Sequence, residues 1–306
     1  MEQKSIMDEL QERLVGERHK RIALVVQGGG MRGIYSLGAL AALESAGLTN
    51  AFDIVVGSSA GAINGAYLLA GQANQAISAY IDDLSNRQFV NPLRVHKMVN
   101  IDFMVDEVLK NRYPLNTEAL FASPILLEVV LTDAETAEPV VVTNRDTDLD
   151  FYEVLRATSA LPALYNRRVR VRDRDYVDGG TVDGVPVIRA VEASADAILA
   201  VVTRRPGFRR RASNMGVRLL ARSMARGQSV ALRDRIGRED VRFNEAMDLL
   251  EGIGQLPTGL RRRSVWPSDE NKLVGRTTSD RARLRECADM GRADMQAVLK
   301  LPWEEQ

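Results

Sequence analysis

Ile22-Ala23-Leu24-Val25-Val26-Gln27-Gly28-Gly29-Gly30-Met31-Arg32-Gly33 opens the stretch that decides the fold, and Phe52-Asp53-Ile54-Val55-Val56-Gly57-Ser58-Ser59-Ala60-Gly61 completes it. Each begins with an apolar run of the kind buried on both faces of a parallel sheet. Each then breaks into small residues and continues as helical sequence, to about Ala46 before Gly47 in the first case and to about Leu69 in the second. Strand, helix, strand and helix within 50 residues predict an α/β fold with parallel strands.

Gly57-Ser58-Ser59-Ala60-Gly61 has the G-x-S-x-G pattern in a strand–turn–helix context. A tight turn there lifts the Ser59 hydroxyl clear of the sheet, and the small neighbours Gly57, Ser58, Ala60 and Gly61 let the backbone bend. The only histidines, His19 and His96, lie N-terminal to any later acidic partner. A Ser, Asp and His hydrolase in the usual chain order needs its histidine last. Another group must therefore take the serine proton, and both histidines, in basic surroundings, read as surface residues.

The glycine run admits two readings. Gly28-Gly29-Gly30-Met31-Arg32-Gly33 fits G-x-G-x-x-G, and Asp53 falls 20 residues beyond Gly33, which suits a dinucleotide-binding loop. The ribose-binding acid belongs at the C-terminal end of the second strand, however, and Asp53 stands at its start. In the other reading, backbone amides at a helix N-terminus form a cradle for a developing negative charge, such as the oxyanion made when serine attacks an acyl carbonyl. Both turns end parallel strands and so face one crevice.

A carboxylate is the expected proton acceptor. Asp178 ends a short strand and precedes Gly179 and Gly180, which permit a backbone reversal and close approach to another loop. Asp-Gly is also an ordinary turn former, and that role is assigned to Asp183-Gly184.

The full chain, 306 residues with 45% apolar and 27% charged content, is ample for a buried core. Net charge of zero and 5% aromatic residues argue against nucleic-acid binding. Cys287 stands alone in a helical, charged stretch and reads as inert packing; one cysteine and two histidines build no zinc site. No metal or organic cofactor is implied. The N-terminus lacks the apolar core of a secretory signal, and no run approaches the roughly 18 apolar residues that span a bilayer. The chain reads as cytoplasmic, with any membrane contact made from its surface.

Elsewhere the pattern predicts an amphipathic helix over 5–18, helices over 73–84, 100–110, 150–158 and 279–299, and strands at Ile125 to Leu131, Pro139 to Val142 and Ala197 to Val202. Short strands at Val169 to Val171 and Tyr176-Val177 flank a hairpin turn, Arg172-Asp173-Arg174-Asp175. Arginine dominates from Arg204 to Arg263. Arg218, Arg222 and Arg226 recur every four residues on one helix face, either a solvated face paired with acids or a basic surface for anionic lipid headgroups.

The glycine run, the serine elbow and Asp178-Gly179-Gly180, in that order, resemble the patatin-like phospholipases, a family of serine lipid acyl hydrolases using a Ser–Asp dyad. Ala157-Thr158-Ser159-Ala160-Leu161-Pro162 ahead of Tyr176-Val177-Asp178-Gly179-Gly180 looks like that family's approach to its aspartate. The resemblance covers about residues 21–203. It implies a three-layer α/β/α sandwich with a mostly parallel sheet; ahead of it the chain itself reads as an N-terminal helix (1–20), and after it as an arginine-rich, mainly helical extension (204–306). From Val241-Arg242-Phe243-Asn244 onward, that extension is similar to one seen in some bacterial members. The resemblance further implies Ser59 as nucleophile, Asp178 as base, and Gly28, Gly29, Gly30, Arg32 and Gly33 in the oxyanion loop. Arg32 takes a position where the family often carries a basic residue, and Gly180 stands where many members have alanine. The expected substrate is a lipid or acyl ester. A soluble-ester or thioester hydrolase on the same dyad and a nucleotide-binding or regulatory module that keeps the glycine loop are the other readings.

Overall fold

β1 (Ile22–Val26) pairs in parallel with β2 (Ile54–Ser58) on one side and with β7 (Ala197–Val201) on the other. β2 pairs in parallel with β3 (Leu126–Asp133), and β7 with β8 (Arg261–Val265). The parallel core thus runs β3-β2-β1-β7-β8. This computed structural model describes every residue except 1–2, 17, 95–96, 163, 166, 212–226, 237, 255–256 and 306. The basic face expected at Arg218, Arg222 and Arg226, and the surface position expected of His96, lie outside the described residues.

Two antiparallel strands complete the sheet around β3. β4 (Pro139–Thr143) pairs with Glu128 to Thr132, and β6 (Arg174–Asp178) pairs with Leu131 to Asp133. Leu131 and Thr132 pair with both strands at once, so β4 and β6 lie on opposite edges of β3. β4 already opposes β2 across Val129 and Val130. β6 therefore occupies the edge that β2 vacates after Ser58, and the C-terminal ends of β2 and β6 meet head to head. β5 (Val169–Val171) joins β6 in a hairpin whose turn is only Arg172-Asp173, because Arg174 and Asp175 are already paired.

Alternate residues feed two cores, as the period-two geometry of strands requires. Ile22, Leu24 and Val26 face one cluster, and Ala23 and Val25 face the other. The helices of the first face include α1 (Ile6–Val15), α2 (Gly33–Ser45), α3 (Ala60–Leu69), α4 (Ala73–Ser78), α5 (Thr117–Ala122) and α6 (Phe151–Thr158). α7 (Val187–Glu192) and α9 (Glu239–Glu251) cover the second, α8 (Val230–Arg235) packs beside the end of β6, and α10 (Arg281–Val298) returns to the first. The result is a three-layer α/β/α arrangement. Full burial of a Leu, Ile or Val side chain in either layer contributes about 1.5–3 kcal/mol. Segment 79–83, inside the helix expected over 73–84, and segment 103–112, which overlaps most of the one expected over 100–110, take the wider π-helical turn.

The arginine-rich C-terminal part is built into the same sheet through β8 and against α2 through α10. The two helices cross with their backbones in contact: a Cβ on Gly38 would lie 2.0 Å from the Ala288 carbonyl oxygen, and one on Gly291 would lie 2.1 Å from that of Tyr35. Cys287, in this crossing, is fully buried, and burial pushes its thiol up to about 11. Among the described residues, no helix is long and apolar enough to cross a membrane.

Candidate active site

Ser59 stands between β2 and α3 with φ 53° and ψ −132°, a conformation that costs a non-glycine residue about 1–3 kcal/mol. The reversal is tight. A Cβ on Gly57 would lie 2.7 Å from the Ala62 nitrogen, and one on Gly61 would lie 2.2 Å from the Val26 carbonyl oxygen. Thr158, the last residue of α6, fixes the turn: its Oγ1 accepts the Ser59 N–H at 2.9 Å and donates to the Val130 carbonyl at 2.7 Å.

Asp178 arrives from the other side, because β6 ends where β2 ends. Its Oδ2 accepts the Ser59 Oγ–H at 2.9 Å, although 119 residues separate the two in sequence. The Gly180 amide donates to its Oδ1 at 2.6 Å. Its own N–H donates to the Ala160 carbonyl at 3.0 Å, and Thr132 Oγ1 donates to its carbonyl at 2.8 Å. Gly179 presses on β3 so closely that a Cβ there would lie 1.9 Å from the Val130 oxygen. The carboxylate is held in one orientation by sheet and loop together, at 1% exposure.

The glycine loop lies against the elbow. A Cβ on Gly28 would come within 2.5 Å of the Ser58 carbonyl oxygen, and Gly30 has φ 57°, open to glycine at little cost. Among the described residues, the amides of Gly28, Gly29, Gly30 and Ala60 make no hydrogen bond. That of Met31 donates to the Arg276 carbonyl at 3.0 Å. Arg32 and Gly33 do not take the places expected for an oxyanion loop. The Gly33 amide bonds back to Gly30 and Met31 as the helix begins, and Arg32 turns its buried guanidinium away to the Val274 carbonyl at 3.0 Å. Asp53 binds the Ile22 amide and Arg13 at the start of the strands, away from the glycine loop.

A cavity of about 230 Å³ runs from these groups into the interior. Its inner wall is apolar and includes Ile63, Tyr80, Leu84, Ile101, Met104 and Leu161. Arg156 braces that wall by ion pairs to Asp102 at 2.7 Å and Asp106 at 2.6 Å. The hydroxyls of Ser58 and Ser159, buried without a partner among the described residues, line the cavity beside the dyad. Asp183, expected to form a turn, is 3% exposed, its carboxylate accepts the Val185 amide two residues on, and the Arg242 guanidinium lies 3.9 Å away. Burial pushes its carboxyl up to about 7, against the pull of Arg242. Among the described residues, no group of three or more His, Cys, Asp or Glu could hold a metal ion.

Three contributors carry no role that their local sequence signals. Thr158 and Ala160 sit in the stretch that resembles the family's approach to its aspartate, but their bonds to Ser59 and Asp178 depend on tertiary pairing. The contact between Arg276 and the loop, about 245 residues apart in sequence, leaves no local signal.

The patatin-like phospholipase family model matches residues 24–191, more than half of the 306 residues. The chain belongs to the patatin-like phospholipase family, a family of lipid acyl hydrolases. It is 31% identical over 189 residues to the uncharacterized protein YjjU of Escherichia coli, a match covering 60% of this chain and 52% of that one. The chain thus spans about half the length of this curated relative. Among solved structures it is similar in fold to VipD from Legionella pneumophila, with TM-score 0.51 and 13% identity over 93% of this chain and 67% of the other.

Proposed function

We propose that the protein is a phospholipase A-type lipid acyl hydrolase that works through an acyl-enzyme on Ser59, with Asp178 as the base. The observation that carries this reading is the 2.9 Å contact between Ser59 Oγ and Asp178 Oδ2 beside four unengaged amides. Asp178 takes the hydroxyl proton as Oγ attacks the ester carbonyl, then gives it to the departing alkoxide as the C–O bond breaks. Water repeats the sequence on the acyl-enzyme: Asp178 takes its proton and returns it to Ser59 as the fatty acid leaves.

A carboxylate is a weak base for an alcohol, so stabilisation of the tetrahedral oxyanion carries much of the work. The amides of Gly28, Gly29, Gly30 and Ala60 are the donors, aided by the positive end of α3 at Ser59. Each well-placed donor is worth about 2.7–4 kcal/mol in such transition states. The apolar cavity takes the acyl chain, which accounts for its lining of Ile, Leu, Met and Tyr.

The test is hydrolysis of phosphatidylglycerol vesicles and of p-nitrophenyl butyrate by wild type and Ser59→Ala. Loss of both activities in the variant supports the reading, and undiminished turnover refutes it. Turnover of the soluble ester alone would make the protein a soluble-ester hydrolase.

A further inference from the structure

Gly33 closes the glycine run, yet its amide is engaged in the first turn of α2. Its carbonyl and its missing side chain are what the crevice uses. A Cβ there would lie 2.8 Å from the Ala60 Cβ and 2.8 Å from the Tyr80 hydroxyl. The Gly33 carbonyl accepts Asn64 Nδ2 at 2.8 Å and Ser36 Oγ at 2.9 Å. Asn64 Nδ2 also donates to Ser36 Oγ at 3.1 Å, and Asn64 Oδ1 accepts the Tyr80 hydroxyl at 3.1 Å. The orientation of the Asn64 amide follows from these partners, because a carbonyl can only accept.

Asn64 is out of character with its helix. α3 is buried over its whole length and is otherwise built of Ala, Gly, Ile, Leu and Tyr. Asn is a weaker helix former than Ala or Leu and is mostly an exposed residue. Packing alone would be served better by an apolar side chain. Ala60 and Asn64 stand four residues apart and so share one face of α3, and Gly33 rests on that face. The elbow helix thus both packs against the end of the glycine loop and bonds to it. The unengaged amides lie on the two sides of this contact, those of Gly28, Gly29 and Gly30 on the loop and that of Ala60 on the elbow. They belong to separate segments, so their spacing is set by how the segments are held together. Tyr80, which seats Asn64, stands in the π-helical segment 79–83 and forms part of the cavity wall; π-helical turns recur at functional sites.

We propose that Asn64, seated by Tyr80, is a positioning residue for the oxyanion site: through the Gly33 carbonyl it fixes the amides of the glycine loop against the amide of Ala60. The inference rests on the acyl-hydrolase reading for what those amides bind. An oxyanion is stabilised by donors about 2.7–3.1 Å away, and a misplacement of about 1 Å can cost about a hundredfold in rate. Without Asn64 Nδ2, the Ser36 hydroxyl is the one side-chain donor of this network left on the Gly33 carbonyl, and the loop can shift on the elbow. The loss falls on kcat, because the oxyanion exists in the transition state and not in the bound ester.

The test compares wild type with Asn64→Ala and Tyr80→Phe. The second variant keeps the ring, and with it the cavity wall, and removes only the hydroxyl. With p-nitrophenyl butyrate, kcat should fall about tenfold to a hundredfold in Asn64→Ala and about threefold to tenfold in Tyr80→Phe. KM should stay within about twofold of wild type in both. In isotope-labelled protein, the amide resonances of Gly28, Gly29 and Gly30 should shift or broaden in both variants, a response that lost stability alone does not give well below the melting temperature. Unmoved loop resonances in either folded variant, or a raised KM with kcat retained, overturn the proposal. If Asn64→Ala does not fold, Tyr80→Phe decides by the same two readouts. A wild type without esterase activity whose loop resonances still move in the variants would strike the acyl-hydrolase reading and leave the hold of Asn64 on the loop standing.

Discussion

Thr158 Oγ1 accepts the Ser59 N–H at 2.9 Å while donating its own proton to the Val130 carbonyl at 2.7 Å. One hydroxyl thus ties the last turn of α6 to the strained residue of the elbow and to the strand that also carries β6. Thr158→Val keeps the shape and removes both bonds, leaving the Ser59 amide buried without a partner, at a cost of about 1–3 kcal/mol. We predict that kcat for p-nitrophenyl butyrate falls about tenfold to a hundredfold with little change in KM, because the nucleophile loses its fixed orientation. Thr158→Ser should restore most of it. A variant with unchanged kcat would remove Thr158 from the positioning of Ser59.

Asp178→Asn retains an acceptor oxygen for the Gly180 amide but provides no group that takes up a proton. The expected loss in kcat is about 10²–10⁴, the usual contribution of a general base, with the melting temperature within a few degrees of wild type. Steady-state kinetics and thermal denaturation on one preparation check both halves. Full activity in the Asn variant would dismiss Asp178 as the base.

Asp183 sets a pH dependence of stability. Its carboxyl is raised from 3.8 to about 7, first by burial, so between these values the unfolded chain has released a proton that the folded chain still holds. Stability falls as pH rises through that window, by up to about 1.4 kcal/mol per unit, and the loss is complete above pH 7. Glu192 adds to the raising, and Arg242 and Arg235 oppose it. Asp183→Asn removes the ionisation. Urea denaturation at pH 5 and pH 8 should show the variant gaining on wild type as pH rises, and a constant difference would contradict this.

The crossing of α2 and α10 leaves no room at Gly291, where a Cβ would lie 2.1 Å from the Tyr35 oxygen. Gly291→Ala must push the helices apart, and a loss of about 1–3 kcal/mol is expected, read as a lower urea midpoint. A neutral or stabilising substitution would show that α10 does not pack as described.

Much of the sheet is legible in the sequence because β1 and β7 are uninterrupted apolar runs and β2 opens with one, Ile54-Val55-Val56, and burial on both faces demands that composition. β8 is not, because Arg261-Arg262-Arg263 reads as a solvated basic tract. In the fold, Arg261 pairs with Glu9 at 2.7 Å, Arg263 pairs with Glu304 at 2.6 Å, and Arg262 reaches the Leu250 carbonyl at 3.3 Å. Pairing partners so distant in sequence allow a charged segment to serve as a strand. The order of the three motifs points to one crevice holding Ser59 and Asp178. What joins them there, the switch of β3's edge from β2 to β6, is a matter of register and has no signature in either segment. The glycine run reads in sequence as one donor loop, yet the helix begins inside it. Arg32 and Gly33 are therefore spent on the first turn, and the neighbouring Met31 amide is taken by the Arg276 carbonyl.

The central claim is that Ser59 is a nucleophile activated by its contact with Asp178. Mass spectrometry of the protein after reaction with a fluorophosphonate tests it whatever the natural substrate. We predict one adduct, mapped to Ser59, absent from Ser59→Ala and formed far more slowly in Asp178→Asn. A folded protein that remains unmodified, or carries its adduct on another serine, would contradict it.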